Sequence, residues 1–195
     1  MEEVLEQIRD FADKAHGNQM RKYTPERYIV HPVRVMNICR EYTDDITMLA
    51  AALLHDVLED TPVTQEDIHD FLLPLMERGK AERTVGLVVE LTDVYVKEDY
   101  PQWNRRKRKE RETQRLEQTS GNSQTIKYAD IIDNSAEIIH YDTEFAPLFL
   151  HECRAILKKM NKGHEELYKR AVETVDKCIA QLKDPRPPRR ARPRR

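Results

Sequence analysis

Residues 46–62 read ITMLAAALLHDVLEDTP, and the fold follows from how that run is read. Met48, Leu49, Ala51, Ala52, Leu53, Leu54, Val57 and Leu58 make it the most apolar stretch of the chain. It predicts a helix from Ile46 to about Asp60, capped by Asp44 or Asp45 and ended by Thr61-Pro62. A helix so uniformly apolar belongs at the centre of a bundle. Yet it carries His55-Asp56 and Glu59-Asp60. In a continuous helix Glu59 lies one turn beyond His55 and Asp60 one turn beyond Asp56. Burying such groups is costly unless they are paired or bound to a metal.

The segments on either side read as further helices. Upstream, Val4, Ile8, Phe11, Ala12 and Ala15 have helical spacing over residues 3 to 15. HGNQMRKYTPERYIVHP follows as a connection, and a second helix starts at Pro32 or Val33 and runs to about Tyr42. Downstream, Thr64 with Glu66 and Asp67 resembles an N-cap for a helix to about Met76. Further helices are expected over Lys80 to Leu91, in the charged second half of residues 93–118, over Ser123 to about Tyr141, and from an Asp142 or Thr143 cap to Met160. Leu167, Ala171, Val175, Cys178 and Leu182 mark the last one. Only 5 glycines and no convincing strand pattern occur in 195 residues. The fold class is therefore all-α, a helical bundle of about eight or nine helices over 1–183.

Residues 184–195, DPRPPRRARPRR, carry six arginines against one aspartate. They read as a disordered basic Pro/Arg tail whose charge suits weak nucleic-acid contact, or a simply solvated one. The whole chain sums to −2, so the preceding 183 residues sum to −7. An acidic body is not a nucleic-acid binder by composition. Cys39, Cys153 and Cys178 are odd in number and form no CxxC pair, which fits reduced core cysteines in a cytoplasmic protein. The acidic start MEEVLEQIRD is not a signal peptide, and no apolar run has the length of a membrane span.

His31, in IVHPV, and Asp130, in KYADIIDN, supply candidate partners for His55 and Asp56. Two imidazoles and two carboxylates form a mixed donor set. It suits Mn²⁺, Fe²⁺, Zn²⁺, Ni²⁺ or Co²⁺ better than Ca²⁺ or Mg²⁺. Taken singly, His31 also fits a helix-start histidine and Asp130 a capping or surface residue.

The order H…HD…D, with HPVRV, LLHDVLEDT and IKYADIIDN, resembles the HD superfamily of metal-dependent phosphohydrolases. It is most similar to the hydrolase domain of RelA/SpoT-type enzymes and small stand-alone alarmone hydrolases, over about residues 8 to 160. The resemblance implies an HD-domain helical bundle in which His31, His55, Asp56 and Asp130 ligate one Mn²⁺. It implies a nucleotide substrate, guanosine 3′,5′-bispyrophosphate (ppGpp or pppGpp), from which the 3′-pyrophosphate is removed. Glu59 and Asp60 match the pair associated with water activation, Arg21 and Lys22 the basic residues near guanine and phosphates, and Asn134 a nucleotide contact. Arg105, Arg106, Lys109 and Arg111 lie in the basic segment between HD and the distal Asp. Pro25-Glu26-Arg27 stands where the family usually has a glycine, which keeps open a phosphohydrolase acting on another nucleotide or phosphorylated cofactor.

Overall fold

A computed structural model of the chain describes residues 1–22 and 24–183. Its ordered elements are α1 (Glu2–His16), α2 (Val30–Arg40), α3 (Ile46–Leu54), α4 (Val57–Asp60), α5 (Gln65–Leu72), α6 (Arg78–Leu91), α7 (Arg105–Leu116), α8 (Gly121–Tyr141), α9 (Ala146–Leu157) and α10 (Glu165–Lys183). α4 is a single turn; the other nine are longer, in keeping with the expected count. Among the described residues, β pairing is limited to one isolated antiparallel bridge between Met20 and Arg27. The basic tail expected at 184–195 lies outside the described residues.

α3 occupies the centre, as its composition demands. Every residue from Thr47 to Leu54 is buried, and the helix packs against α1, α2, α6 and α8. Asp45 caps it, accepting a hydrogen bond from Thr47 N at 2.9 Å. α8 is the second central rod, packed on α2, α3, α6, α9 and α10. Its apolar positions follow no single stripe because neighbours surround it, and residues 123–126 and 128–132 are all buried.

The expected continuous helix over 46–60 is broken. α3 stops at Leu54, and Asp56 has φ −98° and ψ −4°. Glu59 N then bonds to Asp56 O at 3.2 Å rather than to His55 O. Consecutive side chains of a continuous helix diverge by about 100°, and the turn at the doublet lets both reach one point. α2 starts at Val30, earlier than Pro32, and takes His31 into its first turn. α5 ends at Leu72, short of Met76, two residues before Pro74. α9 begins at Ala146, with Asp142 Oδ1 accepting from Phe145 N at 3.0 Å.

The segment joining α6 to α7 is drawn inward by a buried carboxylate. Glu112, 2% exposed, accepts from Val94 N and Tyr95 N, each at 3.1 Å, and from Arg115 Nε at 2.6 Å. This anchor brings Asp93 beside the single turn α4, where Asp93 N donates to Glu59 Oε2 at 3.2 Å.

Candidate metal centre

Three elements converge on one point. The first turn of α2 brings His31, the break after α3 brings His55 and Asp56, and the middle of α8 brings Asp130. His31, His55 and Asp56 each place one ligand atom so that all lie within 4.8 Å of one another. Asp56 Oδ2 is 3.1 Å from His55 Nε2 and 3.6 Å from His31 Nε2. Asp130 Oδ1 is 3.2 Å from His31 Nε2 and 3.8 Å from His55 Nε2. The fourth expected ligand thus reaches the same place.

The imidazoles are held in the orientation that ligation needs. His55 Nδ1 lies 2.8 Å from Ala52 O, a carbonyl that accepts and cannot donate, so Nδ1 carries a proton and Nε2 is the ring nitrogen turned to the centre. His55 Nε2 is buried and makes no aligned hydrogen bond, although Asp56 Oδ2 lies 3.1 Å away, an arrangement that costs free energy unless something occupies it. His31 Nδ1 is 2.7 Å from Asp133 Oδ2, a carboxylate–histidine pairing of the kind that orients metal ligands. An orphaned imidazole nitrogen among carboxylate oxygens fits a divalent cation of the borderline, nitrogen-accepting class.

Electrostatics tie the cluster together. Burial works against a charge on His31, but hydrogen bonds with Asp130 and Asp133 prevail and lift it to about 9. Burial also opposes ionisation of Asp56 and Asp130. Asp56 is nevertheless held low, chiefly by His55, and Asp130 is held low, chiefly by Lys127. Lys127 Nζ stands 2.8 Å from Asp130 Oδ2. Tyr28 donates its hydroxyl to Asp56 Oδ2 at 2.6 Å; burial and that neighbouring carboxylate hold the phenol protonated.

α4 sets Glu59 and Asp60 beside the cluster. Glu59 is exposed as a residue, but its carboxyl end is flanked by protein. That desolvation, with the Asp93 and Asp56 carboxylates, pushes its pKa up to about 7. A carboxyl poised near neutrality is suited to exchanging protons with water. Asp60 Oδ2 accepts from Gln19 Nε2 at 3.1 Å, and Gln19 Oε1 is 2.9 Å from His16 Nδ1.

The expected substrate contacts divide. Asn134 and Arg21 come together at the centre. Asn134 Nδ2 donates to Asp130 Oδ1 at 2.6 Å, and Arg21 Nη2 donates to Asn134 Oδ1 at 3.2 Å and to Glu137 Oε2 at 2.6 Å. Lys22 is exposed, 3.8 Å from Asp142 Oδ2 and over the Phe145 ring. Of the basic segment, Lys109 pairs with Asp93 at 2.8 Å and Arg105 with Glu152 at 2.7 Å. Both line a cavity of about 130 Å³ that Lys127, Asp130, Asn134 and Phe149 also border. Arg106 faces a neighbouring groove, and Arg111 leans on Gln114.

Tyr28, Asp133, Lys127, Asp93 and Gln19 were not singled out from sequence. Lys127 and Asp133 stand three residues before and after Asp130, a spacing that signals a shared helix face. Tyr28, Gln19 and Asp93 lie in connections, where no periodicity locates a side chain.

Comparison with known proteins is consistent with this geometry. The model of the HD domain matches residues 28–135. A guanosine-3′,5′-bis(diphosphate) 3′-pyrophosphohydrolase of Vibrio cholerae is 48% identical over 66 residues, which are 34% of this chain and 9% of that protein. The bifunctional (p)ppGpp synthase/hydrolase SpoT of Escherichia coli K12 is 43% identical over 76 residues, 39% of this chain and 10% of that protein. The match thus spans a tenth or less of these relatives. A solved structure of a metazoan ortholog of SpoT, described as hydrolysing ppGpp, superposes with a TM-score of 0.73 over 91% of this chain and 94% of that one. At 24% identity, that likeness is one of fold.

Proposed function

The chain belongs to the HD domain family, as a metal-dependent phosphohydrolase domain related to RelA/SpoT-type hydrolases, and from that premise we propose that it removes pyrophosphate from the 3′ position of guanosine 3′,5′-bispyrophosphate. Mn²⁺ is the proposed ion, held by His31, His55, Asp56 and Asp130. When bound, such an ion supplies a Lewis acid that acidifies water and offsets phosphoryl charge.

The observation that carries the reading is the convergence of His31, His55 and Asp56 on one point, with Glu59 three residues on and its pKa pushed up to about 7. Glu59 takes the proton from an attacking water, and Asp60, tethered by Gln19, orients that water. The water adds to the phosphorus nearest the ribose and the bond to the 3′ oxygen breaks. The departing 3′ oxygen takes up a proton in balance with the one Glu59 removed, and the 3′ hydroxyl and intact pyrophosphate leave. Lys127 and Lys109, at the edge of the cavity beside Asp130, offset negative charge on the transferring group. Asn134, Lys22 and Arg105 supply donors to phosphate and ribose oxygens. The curated relatives named for this reaction support the choice.

A second reading, a phosphohydrolase of another nucleotide or phosphorylated cofactor, draws on one observation. Arg21, expected beside guanine, has its guanidinium engaged by Glu137 and Asn134. A panel of phosphorylated nucleotides with Mn²⁺, resolving pyrophosphate from phosphate, separates the two. Pyrophosphate with a guanosine 5′-di- or triphosphate product supports the first. Inorganic phosphate alone, or turnover only of other nucleotides, overturns it in favour of the second.

A further inference from the structure

Arg21 sits in the connection between α1 and α2, at a register fixed by backbone hydrogen bonds. Arg21 N donates to Glu26 O and Tyr28 N to Gln19 O, each at 2.9 Å. These fold the connection back on itself and turn the Arg21 side chain inward, where only 6% of it is exposed. A buried guanidinium is costly unless a carboxylate answers it. Glu137, on the last turns of α8, does so at 2.6 Å with its own side chain 11% exposed.

The other neighbours of Arg21 have a common property. Asn134 accepts from Arg21 Nη2 at 3.2 Å and donates to Asp130 Oδ1 at 2.6 Å. Asp133 Oδ2 is 3.7 Å from the same nitrogen and 2.7 Å from His31 Nδ1. The Tyr28 ring lies 5.8 Å from the guanidinium carbon, and its hydroxyl donates to Asp56 Oδ2 at 2.6 Å. Each of these three residues holds a different member of the ligand set. The orientation of Asn134 shows the coupling most directly. An amide has one acceptor and one donor end, and the donors of Arg21 can only face the oxygen. The NH₂ group is thereby turned onto Asp130.

We propose that Arg21 is a positioning residue for the metal centre, acting through Asn134, Asp133 and Tyr28 on Asp130, His31 and Asp56, with Glu137 as its anchor. Its role is to order the ligands before the ion arrives. A single guanidinium nitrogen, Nη2, meets the Asn134, Glu137 and Asp133 oxygens, so the three share one donor group. The fourth ligand, His55, is oriented independently by Ala52 O. The inference rests on the metal site of the proposed hydrolase and not on its substrate, so failure of the nucleotide assay leaves it standing.

The test is calorimetric titration of Mn²⁺ into metal-free protein with no nucleotide present. Arg21→Met is expected to weaken Mn²⁺ binding by about 10-fold or more, the scale of losing an outer support of metal ligands. Arg21→Lys, which keeps the charge and loses the Nη2 donor group, and Glu137→Gln, which loosens the anchor, are expected to weaken it by smaller factors. Both also carry the test should Arg21→Met fail to fold. In the double variant Arg21→Lys/Asn134→Ala the losses should fall short of the product of the single ones, because the two residues act in series. Unchanged Mn²⁺ affinity in the folded single variants, with a raised KM for the nucleotide, would overturn the proposal and return Arg21 to the substrate. Strictly multiplicative losses in the double variant would also overturn it.

Discussion

At the residue scale, each member of the centre is defined by what it loses when changed. Asp56 bridges both imidazoles and accepts from Tyr28. Asp56→Ala should therefore lose the bound metal as well as turnover, read as metal content after desalting. Glu59 is three residues on and outside the ligand cluster. Glu59→Gln should keep the metal and lose about 10²–10⁴-fold in kcat, the usual contribution of a general base. The raised value of Glu59 sets a pH dependence as well. A base must be deprotonated to act, so kcat/KM should rise with pH through about 7. Asp93 is one cause of the raised value. Replacing it in Asp93→Asn removes a like charge, makes the carboxylate easier to form, and should move that rising limb to lower pH. A limb that stays in place would remove Glu59 from the role of base.

At the scale of the element, helix ends and crossings decide what reaches the site. The break between α3 and α4 costs the chain the hydrogen bonds a continuous helix would have kept, and it delivers two ligands to one point. α8 must be held on all sides for Asp130 to stay in register. The turn between α9 and α10 contributes directly, since a Cβ built on Gly163 would fall 2.5 Å from Tyr128 Cε2 and 2.9 Å from Thr125 N. Gly163→Ala should therefore destabilise the protein by about 1–3 kcal/mol, the range for overpacking a tight contact. The check is urea unfolding, with the loss appearing as a lower midpoint.

At the scale of the whole molecule, the metal centre doubles as a joint. α2 and the α3–α4 break supply His31, His55 and Asp56, which among the described residues form the one group of three or more His, Cys, Asp or Glu placed to hold a metal, and Asp130 of α8 lies against them. An ion bound to the folded state alone stabilises it by about 2.7 kcal/mol at a hundredfold excess over Kd. Thermal melting with Mn²⁺ should show that gain as a rise in Tm, and a chelator should reverse it. The Asp56→Ala variant should show no shift. An equal shift in that variant would place the ion elsewhere.

How much of this was readable beforehand depends on what sets each feature. Apolar periodicity is local, so the all-helical class, the central place of the helix that starts at Ile46, and the caps at Asp44 or Asp45 and at Thr64 were present in the residues themselves, while the choice of Asp45 and the end at Leu54 were not. His55 and Asp56 stood out as a doublet that interrupts an apolar run, and His31 and Asp130 as its candidate partners; the structure groups His31 with the doublet and sets Asp130 Oδ1 3.2 Å from His31 Nε2. The path of the connections was not readable. Gln19, Arg21, Tyr28 and Asp93 reach the centre through backbone pairing and a buried Glu112, which depend on contacts between segments far apart in the chain. The sequence by itself determined the helices, through short-range spacing, and marked His55-Asp56 through the cost of burying charge, while His31 and Asp130 were candidates on the resemblance to the HD superfamily. Only the tertiary structure decided that Arg21 faces Glu137 and Asn134, because a side chain in an aperiodic connection takes its direction from whichever buried partner can satisfy its charge.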